Sequence, residues 1–192
     1  LSISIVASIL LSNQLVLAKD ITLPSGGKFV GSNGGTITSK GDTMTITGNG
    51  NGGNHVIAWG GGFNIGKDAT VNFGGSGKGY LNLDYSKNPS ILAGKLNGGD
   101  NNIFLVNPSG VIVTESGSIN ANKFGISTSP MDEKTMQKFT LEGHTDGFKF
   151  SPVFKANKGD IINKGSITTK NGLTLIGNKV DIQKGNLINT GT

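Results

Sequence analysis

Along most of this chain, apolar and polar residues alternate for a few positions and then give way to glycine or asparagine. The pattern is clear in GGTITSKGDTMTITGNG (34–50), GFNIGKDATVNFGG (62–75), SGSINANKFGIST (116–128) and KGDIINKGSITTKNGLTLIGNKVDIQKGNLINTG (158–191). Period-two alternation puts one apolar face on a short strand, and the intervening Gly, Asn, Asp and Lys are turn formers. No segment carries a long helical stripe, so the pattern predicts an all-β protein.

Many short strands fit a sandwich, a barrel or a solenoid. The C-terminal third favours the last: GDIINKGSI (159–167) is echoed by GNLINTGT (185–192), and SGSINANKFGIST by KGSITTKNGLTL. Such echoes suggest successive rungs built on one template. A right-handed parallel β-helix is therefore expected, with a β-sandwich as the alternative. Stacked rungs would align Ile, Leu and Val inward and asparagines in amide ladders at the corners, where their tolerance of positive φ would help.

Two segments break the rhythm. PMDEKTMQKFTLEGHTDGFKFSP (130–152) crowds charges together, with a possible two-turn helix over 132–139 capped by Asp132. It reads as an excursion from the solenoid, whose Phe139, Phe148, Phe150 and Phe154 fold back on an apolar face or strand edge. At the other end, residues 1–18 are apolar, uncharged and end at Val16-Leu17-Ala18 before Lys19-Asp20. That reads as a signal peptide lacking its basic start, cleaved after Ala18, and makes 19–192 the mature domain.

Composition narrows the chemistry. Glycine is abundant at 32 residues and only 15% of residues are charged, which suits turns better than salt-bridged helices. With no cysteine there is neither a disulfide framework nor a thiolate metal site. The net charge of +5 comes from scattered lysines without a single arginine, so the bidentate fork that reads bases and clamps phosphates is missing, and no nucleic-acid partner is expected. GNGNGG (48–53) has dinucleotide-fingerprint spacing, but strand-like HVIAWGG follows where a helix would be required. GGSGKGY (74–80) lacks the hydroxyl residue after Lys78 and has Asn72 where a phosphate loop needs its first glycine. The two histidines, His55 and His144, read as surface or edge residues, and no carboxylate pair or calcium loop stands out. No catalytic residues, cofactor or metal are expected.

The most informative text is NNIFLVNPSGVIV (101–113), a strand broken by its own turn signal. Asn107-Pro108-Ser109-Gly110-Val111 resembles the Asn-Pro-Asn-Gly-Ile hallmark of the two-partner secretion (TPS) domain of filamentous-haemagglutinin-like exoproteins, with Ser and Val as mild departures. Three further blocks agree in order: VIAWGGGFNIGKDATVNF (56–73) with its Trp59, NPSILAGKLNGG (88–99) with Asn88, Pro89 and Ser90, and FGISTSP followed by the excursion and GDIINKGSI. The family's separate Asn-Pro-Asn-Leu motif is not found; Leu81-Asn82-Leu83-Asp84 is the nearest text, and no role is carried over to it.

The resemblance implies a parallel β-helix with capping strands and an extra-helical excursion. It also implies export by the Sec machinery, recognition by the periplasmic repeats of a dedicated outer-membrane barrel transporter, and folding at the cell surface as a seed for later repeats. The host-directed activity would lie in a region beyond residue 192, since the chain stops in mid-pattern, and the domain is expected to be a monomer. Two readings of Asn107-Pro108-Ser109-Gly110 stand side by side: a type I or II turn, or a direct transporter contact. Trp59 reads as a core residue. A different class of function, an adhesive module binding host glycans through its lysines, is the alternative.

Overall fold

The structure, a computed structural model, describes residues 17–51, 53–131, 134 and 158–191. The excursion's expected helix and phenylalanines, His144 and nearly all of the apolar N-terminal segment lie outside these residues. The described chain forms short strands in three sheets that wind as a parallel β-helix. Sheet A holds β1 (Gly27–Val30), β4 (Asn54–Trp59), β6 (Gly79–Leu83), β9 (Asn102–Val106), β12 (Lys123–Ser127) and β15 (Leu173–Ile176). Sheet B holds β2 (Gly35–Lys40), β3 (Thr43–Gly48), β5 (Thr70–Phe73), β8 (Lys95–Asn97), β11 (Ser118–Ala121), β14 (Ser166–Thr169) and β17 (Leu187–Asn189). Sheet C is the shortest: β7 (Ser90–Leu92), β10 (Val111–Val113), β13 (Ile161–Asn163) and β16 (Val180–Ile182). From β6 onward each rung visits A, then C, then B.

Parallel register turns the alternation into ladders. On sheet A the inward residues stack as His55, Tyr80, Ile103, Phe124 and Leu173. On sheet B they stack as Met44, Val71, Leu96, Ile119, Ile167 and Leu187. Apart from His55, which is buried beside them, and Leu187, which is exposed, these residues join Val111, Val113 and Ile161 of sheet C in one continuous core. Burying such side chains contributes about 1.5–3 kcal/mol each, which is how a glycine-rich chain holds together. Sheet A is apolar on its outer face too: Val56, Leu81, Leu83, Phe104 and Val106 form a second buried cluster with Met131 packed against it. A Cβ at Gly125 would come 2.5 Å from the Phe104 ring, so glycine there leaves Phe104 its place.

Four expectations need correction. The stretch 34–50 is only partly in the stack: β3 lies parallel on β5, but β2 folds back on β3 as an antiparallel hairpin, and β1 lies antiparallel on β4, so the first rung is closed by strands of opposite sense. Unlike parallel strands, a hairpin needs no crossover, and so can cover a solenoid end within a few residues. Second, the 159–167/185–192 echo is not the stacking register. Leu187 lies on Ile167, and Val180 lies on Ile161. Both echoed segments carry the same inward-facing alternation, so the text matches at an offset that the corners do not permit. Third, His55 is 1% exposed, not a surface or edge residue; its ring stacks on Tyr80 at 5.5 Å and meets the edge of Phe29 at 6.1 Å. Fourth, the asparagine ladders owe nothing to positive φ, since Lys87 is the one non-glycine residue with a positive value among the described residues. They are amide chains: Asn171 to Asn122 to Asn102 at the B-to-A corner, and Asn97 to Asn72 on the outer face of sheet B.

Candidate functional site

The text NNIFLVNPSGVIV lies at the corner between sheets A and C. Strand β9 ends at Val106, four residues turn, and β10 begins at Val111. The Gly110 N–H donates to the Asn107 carbonyl at 3.0 Å, and the Ser109 N–H donates to the Asn107 side-chain oxygen at 2.9 Å. Ser109 does not have a positive φ, so the turn is type I rather than type II. Proline presets the second position, and the asparagine side chain reproduces a backbone turn bond.

This turn is wedged between its neighbours. Below it, the Ser90 N–H donates to the Gly110 carbonyl; above it, the Val111 N–H donates to the Asp160 carbonyl, both at 3.0 Å. The Asn107 N–H donates to the Ser127 carbonyl of the next rung. Gly159 passes so close that a Cβ there would sit 2.4 Å from the Pro108 carbonyl oxygen. Pro108 and Ser109 remain half-exposed, whereas Asn107 and Gly110 are buried.

The two proline-containing motifs are joined. Nδ2 of Asn107 donates to the Asn88 carbonyl and to Oγ of Ser90, each at 2.9 Å. Asn88 and Pro89 are exposed, while Ser90 is completely buried as the first residue of β7. Oγ of Ser90 in turn donates to Oδ2 of Asp84 at 2.7 Å. The same oxygen accepts the Phe63 N–H at 2.8 Å, and the other carboxylate oxygen accepts the Ser86 N–H at 3.0 Å. Asp84, Ser90 and Asn107 are all 0% exposed. One polar chain therefore runs from the first rung at Phe63, through the second at Asp84 and Ser90, to the third at Asn107.

Asp84 was not legible as a site residue. Its only signal is its place in Leu81-Asn82-Leu83-Asp84, and an isolated aspartate after an apolar strand ordinarily reads as a turn former. Trp59 is 1% exposed at the end of β4, donates its indole N–H to Oδ1 of Asn82 at 2.9 Å and meets Phe63 edge-on at 5.4 Å. Ala18 lies exposed in the irregular segment before β1. Among the described residues no cluster of three or more His, Cys, Asp or Glu is positioned to hold a metal ion. No helix there is long and apolar enough to cross a membrane.

Comparison with known proteins agrees with this geometry. The family model "TPS secretion domain" matches residues 21–192. Among solved structures, the fold is similar to the HMW1 secretion domain from Haemophilus influenzae, with a TM-score of 0.69 and 24% sequence identity. That match covers 86% of this chain and 44% of the other, so the chain spans under half of that protein. A search of curated proteins gives no match.

Proposed function

The chain belongs to the TPS secretion domain family, and from that premise we propose that it is the targeting module of a larger exoprotein of the adhesin or haemolysin type. The mature domain, beginning after Ala18, leaves the inner membrane through Sec as a monomer. The periplasmic repeats of an outer-membrane TPS transporter recognise it while it is still extended. It then folds at the cell surface and offers its last rung as a template for whatever follows.

One observation carries the choice of an extended chain for recognition. In the fold, every polar atom of the Asn107 side chain is used internally and the residue is 0% exposed. A partner could touch that amide only before the turn forms. The turn reading and the contact reading of Asn107 are then successive states of one residue. Asn107→Ala removes three hydrogen bonds from a buried site, an expected loss of about 2–4 kcal/mol. The test pairs it with a core variant of equal cost, Val113→Ala, and measures export beside thermal unfolding. Export should fail in Asn107→Ala and survive in Val113→Ala; normal export of both overturns the contact.

A further inference from the structure

We propose that Asp84 is a positioning residue that withdraws Asn107 from its partner, acting as a latch between export and folding. The proposal rests on the reading above, that the transporter holds Asn107 in the extended chain.

The argument starts from the serine between them. A hydroxyl has one proton to give and lone pairs to receive. Ser90 commits its proton to Oδ2 of Asp84, which leaves its oxygen facing Nδ2 of Asn107 purely as an acceptor. Without the carboxylate that proton is free to rotate toward the amide, where donor would oppose donor. A charged acceptor also strengthens its own hydrogen bonds and polarises those linked to it. Asp84 is anchored independently of Asn107 by the Phe63 and Ser86 N–H groups, both supplied by chain that precedes the hallmark turn. The receiving half of the latch can therefore assemble from residues 63–90 alone. Asn107 joins last, exchanging the partner's contacts for those of Ser90 and the Asn88 carbonyl.

A partner that binds only the open form has an apparent dissociation constant equal to the intrinsic one divided by the open fraction. Loosening the latch should therefore tighten binding, the opposite of what loss of a contact residue does. The experiment uses the purified chain and the purified periplasmic domains of its transporter. Asp84→Ala and the milder Ser90→Ala are compared with wild type and with a core variant, Val113→Ala, chosen to match their thermal stability. The latch variants should bind at least tenfold tighter than the stability-matched control. Hydrogen exchange at the Ser109 N–H, which donates to Asn107, should be at least tenfold faster than in that control, with Val71 and Leu96 unchanged. Ser90→Ala keeps the comparison usable if Asp84→Ala does not fold.

If latch variants and control bind equally and exchange Ser109 equally, Asp84 is a stabilising residue only and the proposal is overturned. Failure of the underlying reading looks different: a chain kept unfolded by Ile119→Asp, with Asn107 intact, shows no binding at all, and the hand-over falls with it. Asn107→Ala placed in that unfolded chain should abolish the binding that Asn107 supports.

Discussion

At the scale of single residues, the molecule is held at its N-terminal end by an aromatic hydroxyl. Tyr80 is buried; its hydroxyl donates to the Gly74 carbonyl at 2.7 Å and accepts the Gly48 N–H at 2.9 Å, tying the capping hairpin to the first turns of the solenoid. Burial pushes its phenol above the ordinary value of 10.0, partly offset by the bond from Gly48. Above that ordinary value the unfolded chain loses its proton first. Tyr80's contribution to stability is thus complete below pH 10.0 and falls as pH rises through the folded-state value. Thermal unfolding followed from about pH 8 to about pH 11 should show an alkaline decline that Tyr80→Phe reduces. Tyr85 is raised by burial as well, so the decline should not vanish entirely. A second test sits at the hallmark corner, where Gly159→Ala would drive a methyl group against the Pro108 carbonyl. It should destabilise by about 2–3 kcal/mol, read as a shift of the denaturant midpoint.

Elements in this fold are too short to be stable singly, and their stability comes from what lies above and below. Strands of three residues, such as β7, β10 and β13, have their register set largely by the corners between them. The asparagine chain at the B-to-A corner is one such device, because each amide donates to the one in the preceding rung. Asn122 is the middle link, and Asn122→Ala should cost about 1–2 kcal/mol by breaking both bonds. Asn120, exposed on the outer face of β11, is the control, and its alanine variant should change stability by less than about 0.5 kcal/mol. The hairpin β2–β3 works differently: β3 lies parallel in the stack on β5, and the local antiparallel pairing lets β2 cover it without a rung of its own.

The described residues are asymmetric along the axis of the stack. The first rung is closed by β1, the hairpin and buried Trp59, while the last leaves Val180, Ile182 and Leu187 between 38% and 44% exposed. Their counterparts one rung earlier, Ile161, Asn163 and Ile167, are 0% exposed. When residues 1–192 are purified by themselves, each rung is stabilised by its neighbours, and the last rung of that fragment, with one neighbour, opens first. Amides of β16 and β17 should exchange on the order of 100-fold faster than those of β10 and β11, while Trp59 fluorescence, a reporter of the closed end, stays unchanged. Equal protection along the axis would contradict the stacked picture.

The amino-acid order by itself determined the apolar face of most strands, that the elements are strands, and that a turn interrupts 101–113. Alternation with period two and turn chemistry are local properties, written within a few residues. It also carried the hallmark text, because Asn-Pro-Ser-Gly must be contiguous to make its turn. The echo of 116–128 in 164–175 gave the true register of two strands, Ile119 under Ile167 and Phe124 under Leu173, but only the tertiary structure put Leu187 over Ile167 instead of Ile161, folded β2 back on β3 as a hairpin, and set His55 between aromatic rings. Every rung shows the same apolar face to its neighbours, so periodicity cannot choose among them. The choice falls to corner lengths and to buried polar groups that must all be satisfied. Asp84 and Ser90 meet within the second rung, and Asn107 reaches them only when the third rung lies on it.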